Sequence, residues 1–225
     1  MDFLRKLFGG KLLSSEGLVI NLLLAFSGGF QDAYTYIARG QVFANAQTGN
    51  IVLMSTYFMQ KNYAHALRYI FPLFAFAAGI FVASQIENKI KIKIISWKQV
   101  VIFLEIITLF IVGIIPENYN IIANMLVSFS CAMQVQTFRK IRGKVYASTM
   151  CIGNIRSGTE AFSKYIINHD RKFLSNSKDY LVVVIIFALG AGIGGNLSAP
   201  MGLRTIWLSC AILFAALVLI ERNNP

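Results

Sequence analysis

Asp32 is an acid set in an apolar run, where a carboxyl is costly unless it is paired, protonated or facing water. Gly28, Gly29 and Gln31 lie just before it, and Asn45, Gln47, Thr48, Gly49 and Asn50 open the next segment. A Thr-Gly-Asn step at a helix start presents backbone N–H groups beside hydroxyl and amide side chains, a set able to bind a small polar solute or ion. A glycine pair weakens a helix and permits a break, which membrane depth tolerates only where the backbone is protein-buried or lines a wet cavity. Gly28-Gly29 therefore permits a break, although close helix packing through the pair is the favoured reading.

The theme recurs at Gln134, Gln136, Ser148, Thr149, Gly153 and Asn154. Phe26, Ser27, Gln31, Arg39, Gly40, Val42 and Ala44 match Phe129, Ser130, Gln134, Arg142, Gly143, Val145 and Ala147 at an offset of 103. After one inserted residue Gly49, Asn50 and Ile51 match Gly153, Asn154 and Ile155, and Phe74 with Ala78-Gly79-Ile80 matches Phe187 with Ala191-Gly192-Ile193 at 113. A repeat of this length is a duplication and not a solenoid. Asp32 has no counterpart, because Val135 stands in its place. One asymmetric acid suits proton or cation coupling, so Asp32 is expected to take up a proton or to pair with Arg156 across the repeat interface.

Each group also has a packing role open to it. Gly28, Gly29, Gly79, Gly190, Gly192, Gly194 and Gly195 allow close helix approach, and Gln31, Gln134 and Gln136 can bond between helices with no ligand. Asp32 can be a structural ion-pair partner. Glu105 is expected to pair between helices, and Glu160 lies in a segment polar enough to be wet.

Enzymatic signatures are missing. His65 and His169, the only histidines, are far apart in sequence, and no G-x-S-x-G, H-E-x-x-H or Walker A pattern occurs. Neither an enzyme activity nor a metal or cofactor is expected. Cys131, Cys151 and Cys210 are odd in number and lie in apolar or semi-apolar segments, so they read as free thiols.

These residues need helices in lipid to position them. Of the 225 residues 56% are hydrophobic and 14% charged, with a mean hydropathy of +0.60, well above soluble domains. Residues 18–38, 69–86, 99–115, 121–138, 180–199 and 203–220 are long and apolar enough to cross the bilayer. Pro116 and Pro200 are expected just past helix ends. Residues 48–58 and 149–167 are too short or too polar to span. If they do not cross, a cytoplasmic amino terminus leaves 17 basic residues inside and 4 outside, namely Arg39, Lys61, Arg68 and Arg204. If both cross, the basic residues divide almost evenly. Translocating Lys and Arg is disfavoured, so six spans with both termini cytoplasmic are selected, and the two odd segments become re-entrant or interfacial helices. The first apolar run is too long for a signal-peptide core and lacks a small-residue cleavage site, so it reads as a retained span.

The expected fold is an all-α, polytopic transmembrane helix bundle in one membrane domain, residues 1–225, with halves of about 17–116 and 120–221. An odd number of crossings per half makes the repeat inverted, the architecture of many secondary transporters. The net charge of +11 lacks the basic face with interleaved aromatics that nucleic acid requires. Anionic lipid headgroups are the expected partners of the basic loops, the lysine run Lys89, Lys91 and Lys93 included, and a homo-oligomer is compatible with the sequence.

The stretch Gly29-Phe30-Gln31-Asp32-Ala33, followed by Gly40-Gln41-Val42-Phe43-Ala44-Asn45-Ala46-Gln47-Thr48-Gly49-Asn50, resembles the signature of the YoaK-like family of bacterial membrane proteins with a domain of unknown function. Gln47 stands where that pattern usually has an apolar residue, and the second half is more degraded. The resemblance covers most of the chain and implies a six-span inner-membrane protein, without supplying a substrate. The expected function is a secondary transporter or channel for a small polar solute, with Gln31, Asp32, Asn45, Thr48, Gly49, Asn50, Gln134, Gly153, Asn154 and Arg156 lining or coupling the path. A membrane scaffold or lipid-binding protein is the alternative.

Overall fold

Long apolar runs punctuated by Gly, Pro and Asn produce helices throughout. The computed structural model describes residues 17–89 and 96–220. Its helices are α1 (Leu18–Ala38), α2 (Gln47–Met59), α3 (Tyr63–Lys89), α4 (Trp97–Val112), α5 (Asn120–Thr137), α6 (Cys151–Asn168), α7 (Arg171–Met201) and α8 (Ile206–Leu219). The amino-terminal basic residues, Lys91, Lys93 and Arg222 lie outside the described residues.

Local chemistry sets several boundaries. Ser96 and Gln99 form a capping box that starts α4, and Asp170 accepts the Lys172 amide to start α7. Both α3 and α7 begin earlier than the apolar runs 69–86 and 180–199, because polar first turns extend them. Pro200 sits inside the last turn of α7 and not beyond it. So near the end, its ring and missing N–H disturb few bonds. Gly202, at φ +64, then turns the chain into α8 through a short 3-10 turn.

A two-residue hairpin joins α5 to α6, pairing Lys140 with Val145 and Ile141 with Lys144. Arg142 and Gly143 form its turn at φ +48 and +76, the left-handed pair that a two-residue hairpin favours.

Helix contacts fall into matched sets. α1 packs on α7 and α3 on α5; α2 packs on α3 and α6 on α7; α4 packs on α5 and α8 on α1, while α4 also meets α8. Glycines make the closest approaches. At Gly29, Gly190 and Gly194 a Cβ would run into the backbone of the facing helix, at Phe187, Phe26 and Phe30 respectively. α1 runs unbroken through Gly28-Gly29, and the pair serves close packing, the favoured reading of these glycines. Contact with α7 replaces what the missing side chains lose in helix propensity. Gly79 abuts the Phe129 carbonyl as Gly190 abuts that of Phe26, whereas Gly192 has nothing within 4 Å. The glycine whose environment answers that of Gly79 is thus Gly190, two residues before the one chosen by local sequence match.

Polarity is arranged inside out. Gln31, Arg39, Asn50 and Glu105 are fully buried, while Phe74, Phe81 and Phe214 are 69%, 65% and 59% exposed. Water penalises so large an apolar surface, and acyl chains do not. By length and composition, α3 and the stretch Arg171–Leu219 are apolar enough to cross a membrane.

Candidate functional site

The loop between α1 and α2 folds back onto α1 and is held there by two side chains. The Asp32 carboxylate lies against the backbone amides of Ala44, Asn45 and Ala46, with the Asn45 N–H donating at 2.8 Å. Asn50 donates to the Phe43 carbonyl at 2.7 Å and accepts the Phe43 N–H at 3.0 Å, while also donating to Gln47 Oε1 at 2.9 Å. Loop amides that could have bound a solute anion are therefore engaged by the chain's own carboxylate and amide. The Gly49 and Asn50 N–H groups are used by the Ala46 carbonyl, and Thr48 points outward, exposed.

The second loop repeats this with fewer bonds. Asn154 donates to the Ala147 carbonyl at 2.7 Å, and Gln134 donates to Ser148 Oγ at 2.8 Å. Both loops reach Gly28: Asn45 Nδ2 donates to its carbonyl at 3.2 Å, and the Thr149 methyl occupies the space a Cβ would need. Gly153 and Arg156 are exposed on α6. Asp32 and Arg156 form no ion pair among the described residues; a carboxylate satisfied by backbone N–H groups needs no cation to hold it. Asp32 and Asn50 thus hold one loop and Asn154 the other. Asn154 lines a cavity of about 340 Å³, shared with Gln136, Arg139 and Tyr146.

At the centre, Gln31 links four helices. The two N–H of its Nε2 are shared among Ser27 Oγ at 2.9 Å on α1, Glu105 Oε1 at 3.0 Å on α4 and Ser209 Oγ at 3.2 Å on α8, while its Oε1 accepts the Cys131 thiol of α5 at 2.8 Å. Ser27 and Ser209 also bond each other at 2.7 Å. All five side chains are buried. Glu105 does pair between helices, through an amide rather than a cation. Gln136 likewise bonds across helices, to Ser84 at 2.9 Å. Cys131, Cys151 and Cys210 are free thiols.

Arg39 is the residue whose role the sequence hid most. Counted there among the outside charges, it is fully buried, and its guanidinium donates to the Val112 and Ile115 carbonyls, to Asn120 Oδ1 and to Tyr34 Oη. A cation at the carboxyl end of α4 meets the negative end of that helix and its last carbonyls, so no acid is required. Asn124 then donates to the Arg39 carbonyl at 2.8 Å. At the other end of the molecule Asn21 accepts the Tyr146 hydroxyl. Asn21 and Asn124 obey the offset of 103, a signal that could have found them. Arg142, the sequence partner of Arg39, instead pairs with Asp179 at 3.1 Å alongside Lys144.

A polar cavity of about 170 Å³ lies between Arg39, Gly40, Arg68, Glu117 and Asn120. Another, of about 460 Å³, lies between Glu87, Trp97, Lys98, Thr137, Arg139 and Lys140.

No solved structure matches this chain. It is 22% identical over 206 residues to the UPF0700 transmembrane protein YoaK of Bacillus subtilis (strain 168), covering 87% of this chain and 90% of that protein. The pattern of the protein family of unknown function DUF1275 extends from residue 20 to 219, through both loops and the Gln31 network. The chain is accordingly a member of the DUF1275 family, to which its bundle of helices, polar within and apolar without, belongs.

Proposed function

We propose that this protein is a six-span cytoplasmic-membrane transporter or channel for a small polar solute, coupled to protons, with its two halves inverted relative to each other. The observation that carries this reading is the polar network around Gln31, which ties α1 and α4 of the first half to α5 and α8 of the second at the centre of an otherwise apolar bundle. Polar groups at this depth are expensive and are retained where a path or a switch needs them.

Six crossings are supported by length as well as by charge. At about 1.5 Å per residue, α1, α3, α5 and α7 reach roughly 27 Å or more, and α4 and α8 approach that with their flanking turns; α6 is as long as α5, but its Asn154, Arg156, Glu160 and Lys164 set it apart from a span. The matched helix contacts, Asn50 with Asn154, and Asn21 with Asn124 all support a two-fold relation between halves. With both termini cytoplasmic, the Arg39–Arg68 cavity faces outward and the Trp97–Arg139 cavity inward. Asp32 then acts as a latch. As a carboxylate it accepts the loop amides, and once protonated it loses that attraction, so the loop loosens toward the outer cavity. Lipid is the surrounding partner, anionic headgroups meet the inner basic residues, and no covalent chemistry is assigned to the protein.

A second reading, a membrane scaffold without transport, is favoured by one observation: Asp32 and Asn50 spend hydrogen bonds on closing one loop and Asn154 on closing the other. Purified protein in liposomes, given a broad panel of small polar solutes under an imposed pH gradient, separates the two. Gradient-dependent flux of at least one solute, reduced by Asp32→Asn, is expected of a transporter. No flux above empty vesicles would leave the scaffold.

A further inference from the structure

Glu105, the α4 member of the Gln31 network, brings a carboxyl oxygen that the network leaves unused. Its side chain is fully buried, one carboxyl oxygen accepts Gln31 Nε2 at 3.0 Å, and the other, Oε2, has no hydrogen-bond partner. Each helix packed around it contributes only neutral groups to its surroundings: Ser27 and Gln31 from α1, Cys131 from α5, Ser209 and Cys210 from α8. Every ion pair among the described residues lies elsewhere. A helix-packing carboxyl would be expected to use both oxygens, because an orphaned polar atom in a dry interior is costly.

The one small cation that needs no cavity is the proton. Asp32, another buried acid of the bundle, accepts the Asn45 backbone N–H at 2.8 Å instead.

We propose that Glu105 is a proton-binding site, exchanging a proton at Oε2 as the protein works, and that Gln31 reports its state to both halves. Proton binding turns a pure acceptor into a donor at Oε2 and weakens the Gln31 bond at Oε1. Gln31 is then free to shift weight toward Ser209 of α8 and Cys131 of α5, the bonds that cross between the halves. The coupling role rests on the proposed transport function; proton binding itself does not, and can be read without any substrate.

The test is infrared difference spectroscopy of the full-length protein in phosphatidylethanolamine–phosphatidylglycerol liposomes, taken between mildly acidic and mildly alkaline buffer. Wild type carrying isotopically labelled glutamate carboxyls should give an acid carbonyl band at the high frequency of an unhydrated acid, moved by the label and lost in Glu105→Gln. The aspartate band of Asp32 should not move with the label. Ser209→Ala should shift the glutamate band. A wild-type spectrum with no label-sensitive unhydrated acid would overturn the proposal whether or not Glu105→Gln folds, and a band retained in a folded Glu105→Gln would do the same. A band unmoved by Ser209→Ala would overturn the link to α8. If the band titrates but liposomes pass no solute, the transport reading fails and the proton site stands.

Discussion

Asn50 grips Phe43 from both sides, its amide donating to the Phe43 carbonyl at 2.7 Å and accepting the Phe43 N–H at 3.0 Å. The pair closes the loop between α1 and α2 as a strand partner would, with a side chain in place of the second strand. Asn50→Ala removes both bonds, and the one to Gln47, and leaves two part-buried backbone groups without their partner. A loss of about 2–4 kcal/mol is expected, since each orphaned buried group costs roughly 1–3 kcal/mol. Thermal unfolding in detergent should show a lowered Tm, with Asn154→Ala, which removes one such bond, losing less. Equal losses would contradict this account.

Arg39 offers a contrast between charge and shape. Lysine keeps the charge but cannot reach Val112, Ile115, Asn120 and Tyr34 together, because those bonds use the fork of the guanidinium. Arg39→Lys is expected to destabilise by about 2–3 kcal/mol, and Arg39→Met by more. Denaturation midpoints of the three proteins give the order directly; a lysine variant as stable as wild type would mean that charge alone suffices.

Between α1 and α7 the prediction is steric. Gly190→Ala places a methyl against the Phe26 carbonyl and should cost about 1–3 kcal/mol or displace the helix. Gly192→Ala, two residues on, meets nothing within 4 Å and should be neutral or slightly stabilising. The same unfolding assay checks both. Sensitivity at Gly192 with tolerance at Gly190 would reverse the packing described.

The Asp32 latch predicts a change in accessibility. Ala44 is fully buried beneath the loop. In a background with the half-buried Cys151 replaced, Ala44→Cys should react slowly with a membrane-impermeant maleimide and several-fold faster when Asp32→Asn is added. Unchanged labelling would show that the loop does not depend on the carboxylate.

Topology is tested in the same way. Asn118→Cys should label from outside intact cells, and Arg171→Cys only after the membrane is opened. Labelling of position 171 from outside would remove the inverted arrangement.

Much of the helix pattern was legible before any coordinates. Apolar runs and their breaks locate α1 and α5 to within a residue, because a helix cannot continue without apolar contact or a polar cap. The Asn50–Asn154 correspondence was legible too, since short loops under one geometric demand retain the same residue. Yet the purpose of that asparagine was not, for a solute-binding amide and a loop-closing amide look alike in one dimension.

From residue order alone came the helical class, the apolar character and the pairing of Gln31 with Gln134. Tertiary structure alone decided that Asp32 meets backbone amides and not Arg156, that Arg39 is buried at the end of α4, and that Gln31, Glu105, Cys131 and Ser209 share one site. The physical reason is range. Hydropathy and capping act between neighbours along the chain, whereas a buried polar group takes whichever partner the packing of distant helices brings within about 3 Å.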